Sequence, residues 1–114
     1  MVAGEGTTGT ASALEVKLVV LTPAAQAELE ASTDWYEAQA DGVGHKFVQC
    51  VDEALREIER SPSAFPRWDR DQRFRRFVMQ RFPYIVFYRE LATKIEVIAV
   101  AHGARSPGYW LNRK

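Results

Sequence analysis

Three things are scarce in this 114-residue sequence: cysteine, histidine and long apolar runs. The single cysteine, Cys50, has no partner within the chain. An intramolecular disulfide is therefore excluded, and the fold rests on packing, as in cytosolic proteins. Cys50 stands beside Val51 in a helical pattern and reads as a small buried or half-buried residue. The only histidines, His45 and His102, stand far apart; the sequence has no zinc-ligand spacing and no helical HExxH. No apolar run approaches about 18 residues, which excludes a membrane-spanning helix of the ordinary kind. A phosphate-cradling glycine loop is missing. So are paired carboxylates in the second half, which argues against a two-carboxylate hydrolase. The expectation is a cytoplasmic protein with no cofactor and no metal.

The first residues are rich in Gly, Thr, Ala and Ser, without a basic start or an apolar stretch. They do not read as a secretory leader. Residues 1–14 are expected to be a flexible tail that adds nothing to a core, and residues 15–114 a single domain.

A net charge of zero conceals a split. Residues 1–59 carry three basic and eleven acidic side chains, net −8; residues 60–114 carry twelve basic and four acidic, net +8. Such asymmetry points the basic half toward an acidic or nucleic-acid partner, or toward neutralisation by the acidic half within the fold.

Periodicity gives the order of elements. Glu15 to Leu21 is β-branched and aliphatic and predicts a largely buried first strand. Thr22-Pro23 predicts a capped helix start, with the helix running to about Ala40. Its apolar stripe is read as Ala27, Ala31, Trp35 and Ala38, flanked by Leu29 and Tyr36. Asp41 to Gly44 is a turn. A second helix is predicted from His45 to Arg60, with Phe47, Val51, Ala54, Leu55 and Ile58 on its apolar face, ended by Ser61-Pro62. So short a link makes the pair an antiparallel hairpin. Phe65 to Asp69 reads as a loop. Strands are predicted over Arg73 to Met79, Tyr84 to Glu90 and Lys94 to Ala101. The last is apolar at both parities from Val97 onward, so it should be central and covered on both faces. The class is α+β: a strand, a helical hairpin, then a three-strand meander completing one sheet.

The chemistry-bearing residues that remain are cationic and aromatic. Arg73, Arg75, Arg76 and Arg81 crowd the second strand; His102, Arg105, Tyr109, Trp110 and Arg113 follow the last. Such a set can stabilise charge and move a proton at an RNA phosphodiester. It can equally grip phosphates without chemistry. Strand arginines also simply solvate an outer face, and Trp110 can simply pack beneath the sheet edge.

These residues in this order resemble a known family. The series comprises a strand followed by Thr22-Pro23-Ala24-Ala25, Trp35-Tyr36, Gly42-Val43-Gly44 and Phe47. It continues through Ala54-Leu55, Ile58, Pro62 and Phe65-Pro66. It ends with Arg81 to Tyr88 (RFPYIVFY) and Val97 to Trp110 (VIAVAHGARSPGYW). It is similar to the RelE/ParE superfamily of bacterial type II toxin–antitoxin toxins, nearest the branch called plasmid stabilisation proteins, over roughly Glu15 to Arg113. The resemblance implies a growth-inhibiting toxin that a cognate antitoxin neutralises, in a heterotetramer or larger complex. Two activities follow from it. ParE-type members inhibit DNA gyrase; RelE-type members are metal-independent endoribonucleases that cleave mRNA on the ribosome. Where nucleolytic members carry an arginine after the tyrosine opening a strand, Tyr84 is followed by Ile85. Where they carry another after the last strand, Ala101 and His102 are followed by Gly103. Tyr109 matches the family tyrosine, Arg76 a basic strand position, and His102 a position that other nucleolytic members keep basic. Arg81 or Arg105 could replace the missing arginines in space. The resemblance thus implies His102 and Tyr109 as catalytic only in a nuclease. It implies Arg75, Arg76, Arg81, Arg105 and Arg113 as target- or phosphate-binding. The missing arginines favour the gyrase-type binder; an inactive antitoxin-binding scaffold is the third reading.

Overall fold

The computed structural model of the chain describes residues 17–113. The expected tail at residues 1–14, and the start of the predicted first strand at Glu15 and Val16, lie outside them. The elements are β1 (Leu18–Leu21), α1 (Pro23–Gln39), α2 (Val43–Arg60), β2 (Arg67–Trp68), β3 (Asp71–Val78), β4 (Tyr84–Glu90) and β5 (Lys94–His102), followed by a 3-10 turn at Leu111–Arg113. The strands form one sheet in the order β1-β5-β4-β3-β2. β1 pairs parallel to β5, and every other pair is antiparallel. This is the expected strand, hairpin and meander, with a two-residue strand, β2, inside the segment read as a loop.

β5 is central because its sequence can be buried twice. Tyr88 pairs with Val97 and Phe87 with Ala99, which leaves Ile98 as an extra residue, a bulge. The bulge breaks the alternation. Ile95, Val97 and Val100 pack beneath the helices with Phe47, Val51, Ala54, Ile58, Tyr84, Val86 and Tyr88. Ile98, Ala99 and Ala101 enter a second cluster on the opposite face, with Trp68, Phe74, Phe87 and Trp110. Trp110 is 1% exposed, with ring centroids 4.7 Å from Phe87, 4.9 Å from Phe74 and 5.0 Å from Trp68. It packs under the sheet as a core residue.

Two expectations are corrected. β1 is an edge strand, exposed on one face: Leu18 is 71% and Val20 40% exposed, while Val19 and Leu21 pack against the helical core. The stripe on α1 is also rotated. Ala27, Ala31, Trp35 and Ala38 are all exposed. Ala25, Leu29 and Tyr36 face the core instead. Tyr36 rather than Trp35 enters the aromatic cluster, with ring centroids 5.1 Å from Phe47 and 4.9 Å from Phe82. Alanine is common on several sides of this helix, so its small side chains do not mark an inner face.

The hairpin link requires glycine twice. Gly42 has φ of 87°, the left-handed region. Gly44 opens α2 against α1, where a Cβ would lie 2.7 Å from the Thr33 carbonyl oxygen. With no side chain at Gly42 to cap α2, the Glu37 carboxylate accepts from the N–H groups of Gly42 and Gly44, both at 2.9 Å. Those bonds hold the Glu37 carboxyl below its ordinary range.

Candidate functional site

β1 ends at Leu21, opposite Val97, and the Thr22 N–H donates to the Val97 carbonyl at 3.0 Å. Among the described residues, no strand lies beside β5 on this edge beyond that point. The edge is completed by side chains. Glu28, on the inner side of α1, accepts from the Val100 N–H at 3.0 Å, and Arg113 donates to the carbonyl of the bulged Ile98 at 3.3 Å.

The same Glu28 carboxylate accepts a very short hydrogen bond from the Tyr109 hydroxyl and is paired with Arg113 at 3.0 Å. Arg105 stands 3.7 Å away. The guanidinium carbon of Arg105 lies 3.7 Å from the centre of the Tyr109 ring, and that of Arg113 lies 5.2 Å from it. Three of the expected site residues therefore converge on one acid from α1. Burial, and then the bond to Glu28, raise the Tyr109 phenol well above its ordinary pKa; the two arginines oppose this only in part. The bond to Glu28 likewise raises Arg113.

Arg76 is exposed on β3, on the sheet face opposite the helices. With Arg70, His102, Arg105 and Tyr109 it lines a cleft of about 180 Å³. His102 ends β5; its Nδ1 accepts from the Ala104 N–H at 3.0 Å, and its ring meets Tyr84 edge-on at 5.2 Å. Its other side lines a notch of about 350 Å³ with Trp35, Tyr36 and Tyr84, where the Tyr84 hydroxyl donates to Ser32 Oγ at 2.9 Å.

The remaining arginines lie elsewhere. Arg75 donates to the Phe65 carbonyl at 2.7 Å and stands 4.0 Å from Glu90. It sits beside Tyr88, whose phenol is pushed up to about 12, chiefly by burial. Arg73 is paired with Asp71. Arg81 lines a groove between α2 and β3 with Cys50, which is half-buried, and Met79. Among the described residues no group of three His, Cys, Asp or Glu side chains is placed to hold a metal. None of the described helices is long and apolar enough to cross a membrane.

Glu28 and Arg70 are the residues that sequence reasoning missed. A signal for Glu28 exists: it lies three residues after Ala25 and four before Ser32, on the inner side of α1, where a carboxylate needs partners. Choosing the stripe through Trp35 hid it.

The family model for the ParE toxin of the type II toxin–antitoxin system parDE matches residues 19–107. The chain belongs to the ParE toxin family. The fold agrees with a solved chain described as the chromosomal ParDE TA system from P. aeruginosa. That match has a TM-score of 0.70 and 19% identity, and covers 77% of this chain and 97% of the other. No curated relative matches. As a ParE toxin, the chain is the toxin component of a type II toxin–antitoxin pair. The matched span includes Glu28, Arg70, Arg76, His102 and Arg105, and ends just before Tyr109.

Proposed function

We propose that this toxin arrests growth by binding a core macromolecular target of the DNA gyrase type, without cleaving it, until a cognate antitoxin neutralises it. The supporting observation is the state of Tyr109. A proton donor must release its proton near working pH. The Tyr109 hydroxyl is committed to Glu28, and burial holds its proton more tightly than in free tyrosine. Ile85 and Gly103, at positions where nucleolytic relatives are expected to carry arginine, leave fewer phosphate ligands. Neutralisation fits the charge split, since an acidic antitoxin segment suits the basic half, and the complex would be a heterotetramer or larger.

One observation favours the second reading, a ribosome-dependent mRNA endoribonuclease. Arg76, His102, Arg105 and Tyr109 line one cleft. Induction in bacteria separates the two. The binder is expected to give a DNA-damage response with translation intact. Rapid translation collapse with fragmented mRNA would overturn it in favour of the nuclease. No growth effect, with antitoxin binding retained, would leave only a scaffold.

A further inference from the structure

Trp35 is the one large aromatic side chain that the described fold leaves exposed, at 58%. Neither the packing nor the proposed function uses it. It borders the notch where α1 meets the start of β4 and the end of β5. Ala31, Ser32, Tyr36, Tyr84 and His102 complete the walls. The space of about 350 Å³ falls within the roughly 300–1,000 Å³ usual for small-molecule sites.

The notch combines a flat wall with polar groups. Among the described residues, the only ring against the Trp35 indole is Tyr36, with centroids 5.0 Å apart and planes at 84°. No parallel neighbour therefore takes up stacking on the indole. The Tyr84 hydroxyl donates to Ser32 Oγ at 2.9 Å, which leaves the Ser32 proton to donate elsewhere. His102 Nδ1 accepts from the Ala104 N–H at 3.0 Å, so the ring proton sits on Nε2. Two donors beside an open indole suit a flat heterocycle with acceptor atoms on its edge.

A second observation narrows the ligand class. His102 also lines the basic cleft, together with Arg76 and Arg105. The Arg105 N–H donates to the His102 carbonyl at 3.1 Å, so that arginine stands in the turn just after the imidazole. Its side chain is 55% exposed and only loosely engaged by Glu28, at 3.7 Å. Arg76 is exposed, and no ion pair or side-chain hydrogen bond joins it to another described residue. Among the described residues, no carboxylate lines either hollow. A ligand seated in the notch thus meets cations on the far side of His102. A flat heterocycle carrying an anionic group is a nucleotide.

The surface offers stacking for one base, not for a run of them. Single strands are held by successive open rings. Trp68, Phe87 and Trp110 are 6%, 5% and 1% exposed and pack against one another. The Arg105 guanidinium lies over the Tyr109 ring.

We infer that the notch and the cleft together bind a single purine nucleotide. Its base stacks on Trp35 with its polar edge toward Ser32 and His102, and its phosphate meets Arg105 and Arg76. Two fused rings cover more of the indole than one, which favours a purine over a pyrimidine. The inference goes beyond the growth-arrest reading and does not depend on it.

The test titrates the full chain with adenosine monophosphate by isothermal titration calorimetry. Adenosine, inorganic phosphate, uridine monophosphate and an oligoadenylate of about ten nucleotides serve as comparisons. Adenosine monophosphate is expected to bind saturably. Adenosine and phosphate alone are each expected to bind about tenfold more weakly or worse, and uridine monophosphate more weakly than its adenosine counterpart. Trp35→Ala should weaken the nucleotide by about tenfold or more. Arg105→Ala should weaken it by about tenfold and leave the affinity for adenosine unchanged. Arg73→Ala, which removes a cation already paired with Asp71, should change neither. All three are surface changes, and thermal melts confirm that each variant stays folded. No binding of adenosine monophosphate, or binding indifferent to Trp35→Ala, overturns the inference. So does adenosine or phosphate alone binding as tightly as the nucleotide. Oligoadenylate binding about a hundredfold tighter than the mononucleotide would overturn it in favour of a strand.

Discussion

Tyr109 and Glu28, 81 residues apart in sequence, are joined by a short hydrogen bond that ties the C-terminal segment to the first helix. The same carboxylate serves the Val100 N–H and Arg113. Removing it strips several groups at once, whereas removing the Tyr109 hydroxyl strips one. Glu28→Ala is therefore expected to cost about 2–3 kcal/mol, less than for a fully buried pair because Arg113 keeps some solvent. Tyr109→Phe is expected to cost about 1.5 kcal/mol. The double variant should fall well short of the sum. Urea unfolding of the three proteins checks this, and strict additivity would show that the two groups are not coupled.

Alkaline pH should weaken the fold. Burial raises the phenols of Tyr36, Tyr88 and Tyr109 above 10.0, that of Tyr88 to about 12. Above pH 10 the unfolded chain releases protons that the folded chain still holds. Stability is then complete below pH 10 and falls as pH rises toward 12, by at most about 1.4 kcal/mol per pH unit for each tyrosine. Urea midpoints compared at pH 9 and pH 11 measure the slope. Tyr109→Phe should reduce it; an unchanged slope would mean that Tyr109 titrates as it does in water.

Gly44→Ala should pry the hairpin apart. The new methyl would lie 2.7 Å from the Thr33 carbonyl oxygen and 2.9 Å from Glu37 Cβ, where a helix backbone cannot yield cheaply. A loss of about 1–3 kcal/mol is expected, visible as a lowered melting temperature. Equal stability would place the two helices farther apart than described.

The three tryptophans should report the rotation of α1. Trp35 is 58% exposed, while Trp68 and Trp110 are 6% and 1% exposed. Acrylamide is expected to quench one fraction of the fluorescence readily and leave the rest protected. Trp35→Phe should remove the accessible fraction and change stability by no more than about 0.5 kcal/mol. Trp110→Ala should cost about 3–5 kcal/mol. A protected Trp35 would restore the stripe read from the sequence.

What the sequence made legible follows from how strongly each segment is patterned. The strand Tyr84–Glu90 could be placed to the residue because β-branched and aromatic side chains fill it and Pro83 bounds it. β5 announced its double burial by apolar residues at both parities, though only the pairing of Tyr88 with Val97 and Phe87 with Ala99 shows that a bulge produces them. The inner face of α1 was illegible because alanines recur on several sides and a tryptophan outweighed a tyrosine. Of the candidate site, sequence supplied the cations and the tyrosine. It could not supply Glu28, whose role depends on where β1 stops, nor could it sort Arg76 from Arg75, which a single step along β3 sends to opposite faces.

The parallel pairing of β1 with β5 has a consequence in time. β1 finds its partner only when β5 exists, and Glu28 meets Tyr109 and Arg113 only when those residues are made. A nascent chain can form its helical hairpin early, from local contacts, but cannot close the sheet or assemble the cleft before β5 and the segment after it are made. The cleft thus forms after the hairpin, and a chain stalled before β5 lacks it.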